Sequence, residues 1–253
     1  MRESELPEKV RTIFLSDLHL GYRISRGERC LSVLENVQAE MVYLVGDIVD
    51  EVRLRNAWHW PESHQRMLER IFKLKDSGAK VFFSPGNHDV CFRDVDPLKD
   101  TSSELKSLLM LLMEFETADR IAHLTVDGRK FLVTHGDLYG ETDSRLSAVR
   151  TWGAKLFDRY NGLLPRRAVI LTRAFFKLIL ARPSQIQQQV CEDAIGGGFD
   201  GVIFGHLHEP KLLHQQGLVV GNCGDWVVNE SFLVETLDGK LQLFNFGKLV
   251  GQI

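Results

Sequence analysis

The chain has 253 residues, 44% of them hydrophobic and 26% charged, and its 31 basic and 34 acidic side chains give a net charge of −3. This composition is too apolar for a disordered chain and is long enough to bury a core as one large domain or two small ones. A net charge so close to zero gives no general attraction for phosphate backbones. We therefore expect no nucleic-acid partner, and nothing in the sequence predicts a protein partner.

The cysteine count and the hydropathy pattern indicate the cellular compartment of the protein. Four cysteines are too few for a disulfide scaffold in a chain of this size, and they share no metal-type spacing. Residues 1–9 have mixed charge and no apolar core, which is not typical of a secretory signal. The most hydrophobic stretch, 168–180, contains two basic residues and falls short of the roughly 20 apolar residues that span a bilayer. The sequence therefore predicts a soluble, cytoplasmic protein.

Short apolar runs predict the regular elements in chain order. Five buried strands are expected over 12–15, 41–45, 80–83, 130–133 and 201–204. Amphipathic segments of helical length, 28–38 and 61–75, lie between the first three strands. Alternation of strand and helix is typical of right-handed βαβ units, which place functional loops at the carboxyl ends of their strands.

The tail has a different pattern, with short strands predicted over 217–220, 232–237 and 240–246. The Asp-Gly pairs at 238–239 and 127–128 lie between apolar alternations and predict two hairpins. We therefore expect an α/β fold, a sandwich of mixed sheets flanked by helices, formed by a single domain over residues 1–253.

One segment, residues 141–183, stands out as an insertion within that domain. It has nine basic and three acidic residues, a local charge of +6, and many large apolar side chains. Two helices with a turn near Asn161-Gly162 are expected. Such a basic and apolar pair would suit a cap that covers acyl chains or contacts a membrane surface. A helical hairpin packed on the body with a solvated basic face would have the same pattern, and the sequence leaves both interpretations open.

Polar residues follow all five of the central predicted strands. The motifs are Ser-Asp-Leu-His at 16–19, Gly-Asp at 46–47, Pro-Gly-Asn-His-Asp at 85–89, Thr-His-Gly-Asp at 134–137 and Gly-His-Leu-His at 205–208. Each motif is common by itself, but their recurrence at five strand ends is not. The other histidines, His59, His64, His123 and His214, have no such context and are predicted to be ordinary surface or substrate-loop residues.

Together these motifs offer carboxylate and amide oxygens and imidazole nitrogens, a mixed set that suits zinc, iron, manganese or cobalt. Seven side chains exceed what one tetrahedral ion needs, so a two-metal site with a bridging carboxylate is expected. The glycines before Asp47, Asn87 and His206 fit tight turns that bring backbone close to that site. The predicted ligands are Asp17, His19, Asp47, Asn87, His135, His206 and His208.

This set of motifs resembles the calcineurin-like metallophosphoesterase superfamily, whose fold is an αββα sandwich. The resemblance implies that Asp17, His19, Asp47 and His208 hold one metal, and that Asp47, Asn87, His135 and His206 hold the other. It also implies a hydrolase in which a metal-bridging hydroxide attacks phosphorus in line. His88 would then be the uncoordinated histidine that assists the leaving group, with Asp47 and Asn87 completing the catalytic residues.

Within the superfamily, the chain is similar to bacterial UDP-2,3-diacylglucosamine hydrolases. The similarity lies in residues 43–50, 54–61 and 222–226 and in the helical insertion. It implies cleavage of the UDP-diacylglucosamine pyrophosphate in lipid A synthesis, usually with manganese, giving UMP and a lipid monosaccharide phosphate. The insertion leaves open a peripheral position on the inner face of the cell membrane. The predicted substrate-binding residues are Arg55, Trp58, Arg145, Arg159, Arg166 and Arg167.

One departure leaves the substrate open. The best-known members of that group have Gly-Asn-Arg-Asp, whereas this chain has His88, as general phosphoesterases do. The alternatives are a broad phosphodiesterase or phosphomonoesterase acting on small esters such as cyclic nucleotides, a nuclease, and a non-catalytic scaffold. The overall charge argues against the nuclease, and the complete motif set argues against the scaffold.

Overall fold

The computed structural model describes residues 5–35, 37–94, 96, 98–99, 101–139 and 183–253. The chain divides into two compact units, Met1–Asp137 with Cys191–Ile253, and Leu138–Val190. Apart from residue 183, the predicted insertion over 141–183 lies outside the described residues, as do Arg145, Arg159, Arg166 and Arg167. None of the described helices is both long and apolar enough to cross a membrane.

The first unit contains most of the described elements. In its amino-terminal half they are β1 (Lys9–Leu15), α1 (Gly27–Leu34), β2 (Gln38–Val45), α2 (Glu51–Asn56), α3 (Glu62–Asp76), β3 (Lys80–Ser84), a 3₁₀ turn (Val90–Arg93), α4 (Ser103–Leu112), β4 (Glu116–Thr117), β5 (Ile121–Leu124) and β6 (Lys130–Val133). Then come α5 (Pro183–Gly196), which begins in the other unit, β7 (Gly201–Phe204), β8 (Lys211–Gln215), β9 (Leu218–Asn222), β10 (Ser231–Glu235), β11 (Leu241–Asn245) and β12 (Lys248–Gln252).

These strands form two mixed sheets, which confirms the predicted fold class. The seven-stranded sheet has the order β12-β11-β10-β1-β2-β3-β4, and the five-stranded sheet has the order β5-β6-β7-β9-β8. β1, β2 and β3 run parallel in the first sheet, and β6, β7 and β9 run parallel in the second. The polar motifs that position the site follow the carboxyl ends of five of these six strands, β1, β2, β3, β6 and β7.

The central strands are buried on both faces, which explains their continuous apolar runs. Side chains alternate along β1, so Phe14 joins the core between the sheets, whereas Ile13 and Leu15 join the core under the helices. In β2, Tyr43 likewise packs between the sheets while Val42 faces the helices. The sandwich therefore has two apolar layers.

The two predicted helices have different ends from those expected. The first ends at Leu34 rather than at residue 38, because β2 begins at Gln38 and its pairing with β1 needs extended backbone there. The second begins at Glu62, with Pro61 in an extended conformation at the N-cap. Both predicted hairpins are present, since β5 pairs with β6 and β10 pairs with β11.

Candidate active site

Three groups of histidine and carboxylate side chains meet at the strand ends, and each could hold a metal ion. We name them the Asp17 group (Asp17, His19, His208), the His135 group (Asp17, Asp47, His135) and the His88 group (His19, Asp47, His88). In each group the three potential ligand atoms lie within 4.8 Å of one another. The structure therefore brings together five of the seven predicted ligands, together with His88.

Asp17 and Asp47 lie at the centre of this cluster. In the Asp17 group, the Oδ1 atom of Asp17 is 3.2 Å from Nε2 of His208 and 3.7 Å from Nε2 of His19. The Oδ2 atom of Asp47 is 3.7 Å from Nε2 of His19 and 3.5 Å from Nε2 of His135. Asp47 thus lies between a histidine of the Asp17 group and His135, as a bridging carboxylate would.

The other two predicted ligands, His206 and Asn87, belong to none of these three groups. His206 lies beside the cluster, because its backbone N–H donates to Oδ2 of Asp17 at 3.0 Å and its ring lies 5.2 Å from the ring of His135. Asn87 follows β3 at the same edge of the sheet, and the residue is exposed.

The backbone of the cluster is strained. Five non-glycine residues with predicted ligand roles have left-handed φ angles between 47° and 61°. Such angles are uncommon outside glycine, and they persist only where surrounding structure compensates for them. They let side chains that follow straight strands turn toward one point. The five residues are Asp17, His19, Asp47, His206 and His208.

Glycines allow the loops to approach closely, as the sequence predicts. A Cβ atom on Gly86 would lie 2.6 Å from the backbone nitrogen of Asp47 and 2.8 Å from Cδ2 of His135. A Cβ atom on Gly205 would lie 2.7 Å from Oδ2 of Asp17. Both distances are too short for a real side chain, so the packing around the cluster requires glycine at these two positions.

Asp50 connects two of the histidines and was not predicted as a site residue. Its buried carboxylate lies 2.9 Å from Nδ1 of His88 and 3.2 Å from Nδ1 of His19. It also accepts a hydrogen bond from the backbone N–H of Arg53 and so caps α2. The signal was present in the sequence, since Asp50 ends the Gly-Asp-Ile-Val-Asp run at 46–50.

The charges of the cluster shift the pKa values of its histidines. Burial lowers the pKa of His19, but the neighbouring carboxylates of Asp17 and Asp50 outweigh burial and raise it to about 10. Burial also opposes protonation of His88, yet the charges of Asp47 and Asp50 raise its pKa. The pKa of His206 instead falls to about 4, through burial and the neighbouring charge of His135. His88 therefore keeps its proton more readily than a free histidine does.

Two further carboxylates support the loops. Asp89 accepts the backbone N–H groups of Ile48 and Val49 at 3.1 and 3.0 Å, and burial together with the charge of Asp47 raises its pKa to about 7. Asp137, which follows β6, accepts a hydrogen bond from Nη1 of Arg93 at 2.6 Å.

Two of the remaining histidines do not lie on the surface as predicted. His64 is buried, and its Nδ1 accepts a hydrogen bond from the N–H of Gly21 at 2.9 Å. His123 is also buried. Its Nδ1 lies 3.1 Å from Tyr43 Oη, and its Nε2 lies 2.9 Å from Glu235 Oε2. A histidine with polar partners can be buried in a core, which the sequence pattern of isolated histidines did not reveal.

Two predicted substrate-binding residues lie in the described part of the chain. The Arg55 guanidinium pairs with Glu51 and donates to the Lys99 carbonyl at 3.2 Å. Trp58 is 46% exposed, and its ring centroid is 6.2 Å from that of Trp60. Trp226, in the segment 222–226 that is similar to the UDP-2,3-diacylglucosamine hydrolases, is fully buried.

The donor set fits metal ions. Among the described residues, Oδ1 of Asp17, Nε2 of His19 and Nε2 of His135 are buried without a hydrogen-bond partner. Buried polar atoms are costly to leave unpaired, and these three point into the same cluster. A divalent cation would supply the partner they lack, with oxygen and nitrogen donors of the kind that manganese, zinc and iron accept.

The fold and the cluster define the class of protein, an α/β sandwich whose strand ends bring together side chains suited to divalent metal ions. The family model for calcineurin-like phosphoesterases matches residues 10–210. The chain belongs to this family of phosphoester hydrolases.

The chain is also similar to individual proteins of known sequence or structure. UDP-2,3-diacylglucosamine hydrolases of Escherichia coli O157:H7 and of Escherichia coli K12 are 25% identical over 258 residues, covering 94% of this chain and 99% of theirs. Among solved structures, the phosphoesterase Yfce from E. coli has a TM-score of 0.49 at 18% identity, covering 96% of this chain and 97% of its own. Vacuolar Protein Sorting 29 from Cryptosporidium parvum has a TM-score of 0.47 at 13% identity, covering 96% of each chain.

Proposed function

We propose that this chain uses two divalent metal ions to cleave the pyrophosphate of UDP-2,3-diacylglucosamine, giving UMP and a lipid monosaccharide phosphate of the lipid X type. The observation that carries the proposal is the cluster around Asp17 and Asp47, with its unpaired buried donor atoms. The choice of substrate is supported by similarity to UDP-2,3-diacylglucosamine hydrolases along nearly the whole chain.

The proposed ligands divide between two metal positions. Asp17, His19, Asp47 and His208 would hold one ion, and Asp47, Asn87, His135 and His206 would hold the other, with Asp47 shared. The central position of Asp47, near both His19 and His135, supports this assignment. The two ions, manganese by the family likeness and otherwise zinc or iron, would acidify the attacking water and neutralise phosphate oxygens.

His88 is the proposed proton donor to the leaving oxygen. Its Nδ1 lies 2.9 Å from Asp50, which leaves Nε2 available to the substrate, and its raised pKa favours the protonated ring. Its backbone N–H donates to Oδ1 of Asp47 at 2.7 Å, which fixes His88 beside the proposed bridging ligand. Asp50 is a positioning residue that orients His19 and His88 together.

Residues 141–183 are the proposed cap over the lipid. Their charge of +6 and their apolar side chains suit contact with a pyrophosphate and acyl chains, through Arg145, Arg159, Arg166 and Arg167. We extend the proposal to a cytoplasmic enzyme that touches the inner face of the cell membrane through this segment. Arg55 and the exposed Trp58 are proposed to contact the substrate from the body.

One observation favours a second candidate, a broad-specificity phosphodiesterase or phosphomonoesterase. His88 and Asp50 form a hydrogen-bonded pair that suits proton donation to many leaving groups.

Comparing two substrates on the manganese-loaded enzyme distinguishes the candidates. We expect kcat/KM for UDP-2,3-diacylglucosamine in mixed micelles to exceed that for bis-p-nitrophenyl phosphate by about 100-fold or more, with UMP as product. Equal or faster turnover of the chromogenic diester would favour the broad enzyme instead. Asp47→Ala should abolish both activities, which excludes a contaminating phosphatase.

A further inference from the structure

The segment after β9, residues 223–229, contacts the Asp17 group. Asp225 is fully buried, and its Oδ2 lies 3.5 Å from Nδ1 of His208. On the other side of the same ring, Nε2 of His208 is 3.2 Å from Oδ1 of Asp17. The imidazole is therefore held between two carboxylates, one in the proposed metal cluster and one outside it.

The position of Asp225 is itself well defined. Its Oδ1 accepts the backbone N–H of Val227 at 2.7 Å, and its Oδ2 accepts Nδ2 of Asn229. The Asn229 amide also donates to the backbone carbonyl of His208 at 2.8 Å. The loop thus binds both the side chain and the backbone of His208.

The same segment contacts other parts of the cluster. The N–H of Trp226 donates to the carbonyl of Asp17 at 3.1 Å, and Nδ2 of Asn222 donates to the carbonyl of Gly205 at 2.8 Å. Asp17 and His208 both have left-handed backbone angles, with φ at 53° in each case. Such strain needs support from neighbouring structure, and these hydrogen bonds provide it.

We propose that Asp225 is a positioning residue for the metal site: its carboxylate accepts the Nδ1 hydrogen of His208, so that the unprotonated Nε2 faces Asp17. A histidine that binds metal through one nitrogen commonly donates its other N–H to a carboxylate, which fixes the tautomer and the ring orientation. This inference rests on the proposed metal site and not on the identity of the substrate.

Metal titration of two matched variants tests the inference. Asp225→Asn and Glu235→Gln each remove the charge of a fully buried carboxylate beside an imidazole, because Glu235 Oε2 lies 2.9 Å from Nε2 of His123. Only Asp225 faces a proposed ligand. We expect Asp225→Asn to weaken Mn²⁺ binding to the apo protein by about 10- to 100-fold, and Glu235→Gln to leave the Kd within about twofold of wild type.

The outcomes separate this inference from the proposed function. A folded Asp225→Asn protein with a wild-type Kd, or an equal loss of affinity in Glu235→Gln, overturns the inference alone. A wild-type chain that binds no Mn²⁺ refutes the proposed metal site itself.

A measurement on the unmutated protein covers the case in which Asp225→Asn does not fold. Nitrogen-15 NMR of histidine-labelled protein loaded with diamagnetic Zn²⁺ reports the tautomer of His208, whose signals are assigned by comparison with His208→Ala. The Nδ1–H tautomer is expected. The Nε2–H tautomer would overturn the inference.

Discussion

At the scale of single residues, the site depends on side chains that orient one another. Asp50 lies beside both His19 and His88, so a single carboxylate sets the direction of a proposed ligand and of the proposed proton donor. The ring centroids of these two histidines are 4.7 Å apart, with the planes nearly perpendicular. A change at one of the three residues should therefore affect the other two.

His88→Ala distinguishes a proton donor from a metal ligand, because the His88 group would also suit an ion. We expect kcat to fall by about 10²- to 10³-fold while the bound metal remains at the wild-type level. Elemental analysis of the purified variant, alongside turnover of a phosphodiester, provides both measurements. Loss of metal would make His88 a ligand, and unchanged turnover would remove it from the mechanism.

At the scale of elements, the turns after the parallel strands hold the motifs together. The turn after β3 passes so close to the turn after β2 that Gly86 has no room for a side chain. Gly196, near the end of α5, would have nothing within 4 Å of an added Cβ atom and has no left-handed angle. The two glycines form a matched pair for substitution.

Gly86→Ala should lower the free energy of unfolding by about 1–3 kcal/mol and weaken metal binding, because the new methyl group displaces Asp47 and His135. Gly196→Ala should leave metal binding unchanged and stability equal or slightly higher. Urea unfolding and metal titration of both variants check this. Normal metal affinity in Gly86→Ala would show that the turn can move without disturbing the ligands.

The helix α3 is connected to the loop after β1 through His64, which accepts the N–H of Gly21. Burial and the neighbouring charge of His59 lower the pKa of His64 to about 4. A histidine whose pKa is lower in the folded state than in the unfolded state stabilises the folded protein fully only above the unfolded pKa, about 6.5. Its contribution to the free energy of unfolding is lost as the pH falls toward 4.

The expected loss from this one histidine is about 2 kcal/mol between pH 7 and pH 4.5, judged from the difference between its two pKa values. His64→Gln keeps an acceptor that does not titrate, so its stability should fall less over the same pH range. Chemical denaturation at several pH values measures the difference. Parallel curves for variant and wild type would show that His64 does not set this dependence.

At the scale of the whole molecule, the proposed ligands come from both sheets. Asp17, His19 and Asp47 follow strands of the seven-stranded sheet, whereas His135 and His208 follow strands of the five-stranded sheet. A metal ion bound between them would hold the two sheets together. Metal binding should therefore stabilise the fold as a whole.

Removal of metal with a chelator should lower the melting temperature by roughly 5–10 °C relative to protein with Mn²⁺ at about 100 times its Kd, because binding to the folded state alone shifts the equilibrium. Differential scanning calorimetry with and without Mn²⁺ measures this shift. Asp47→Ala, which removes the shared ligand, should show little response to the metal. An equal response in the variant would place the stabilising ion elsewhere.

Sequence alone determined the central framework, because local signals encode it. Strands buried on both faces appear as continuous apolar runs, and the Asp-Gly pairs predict the two hairpins. The five motifs follow these strands directly, so the neighbourhood of Asp17, Asp47 and His135 could be predicted from chain order. Element ends were less certain, since the first helix stops where pairing with β1 requires extended chain.

Only the tertiary structure showed which carboxylates support the proposed ligands. Asp50, Asp89 and Asp225 have the same chemical type as the proposed ligand Asp17, and their roles depend on which atoms lie beside them. His64 and His123 are buried for the same reason, because each has a polar partner distant in sequence. Composition and spacing report residue types, whereas hydrogen-bond partners are decided by the crossing of chain segments in three dimensions.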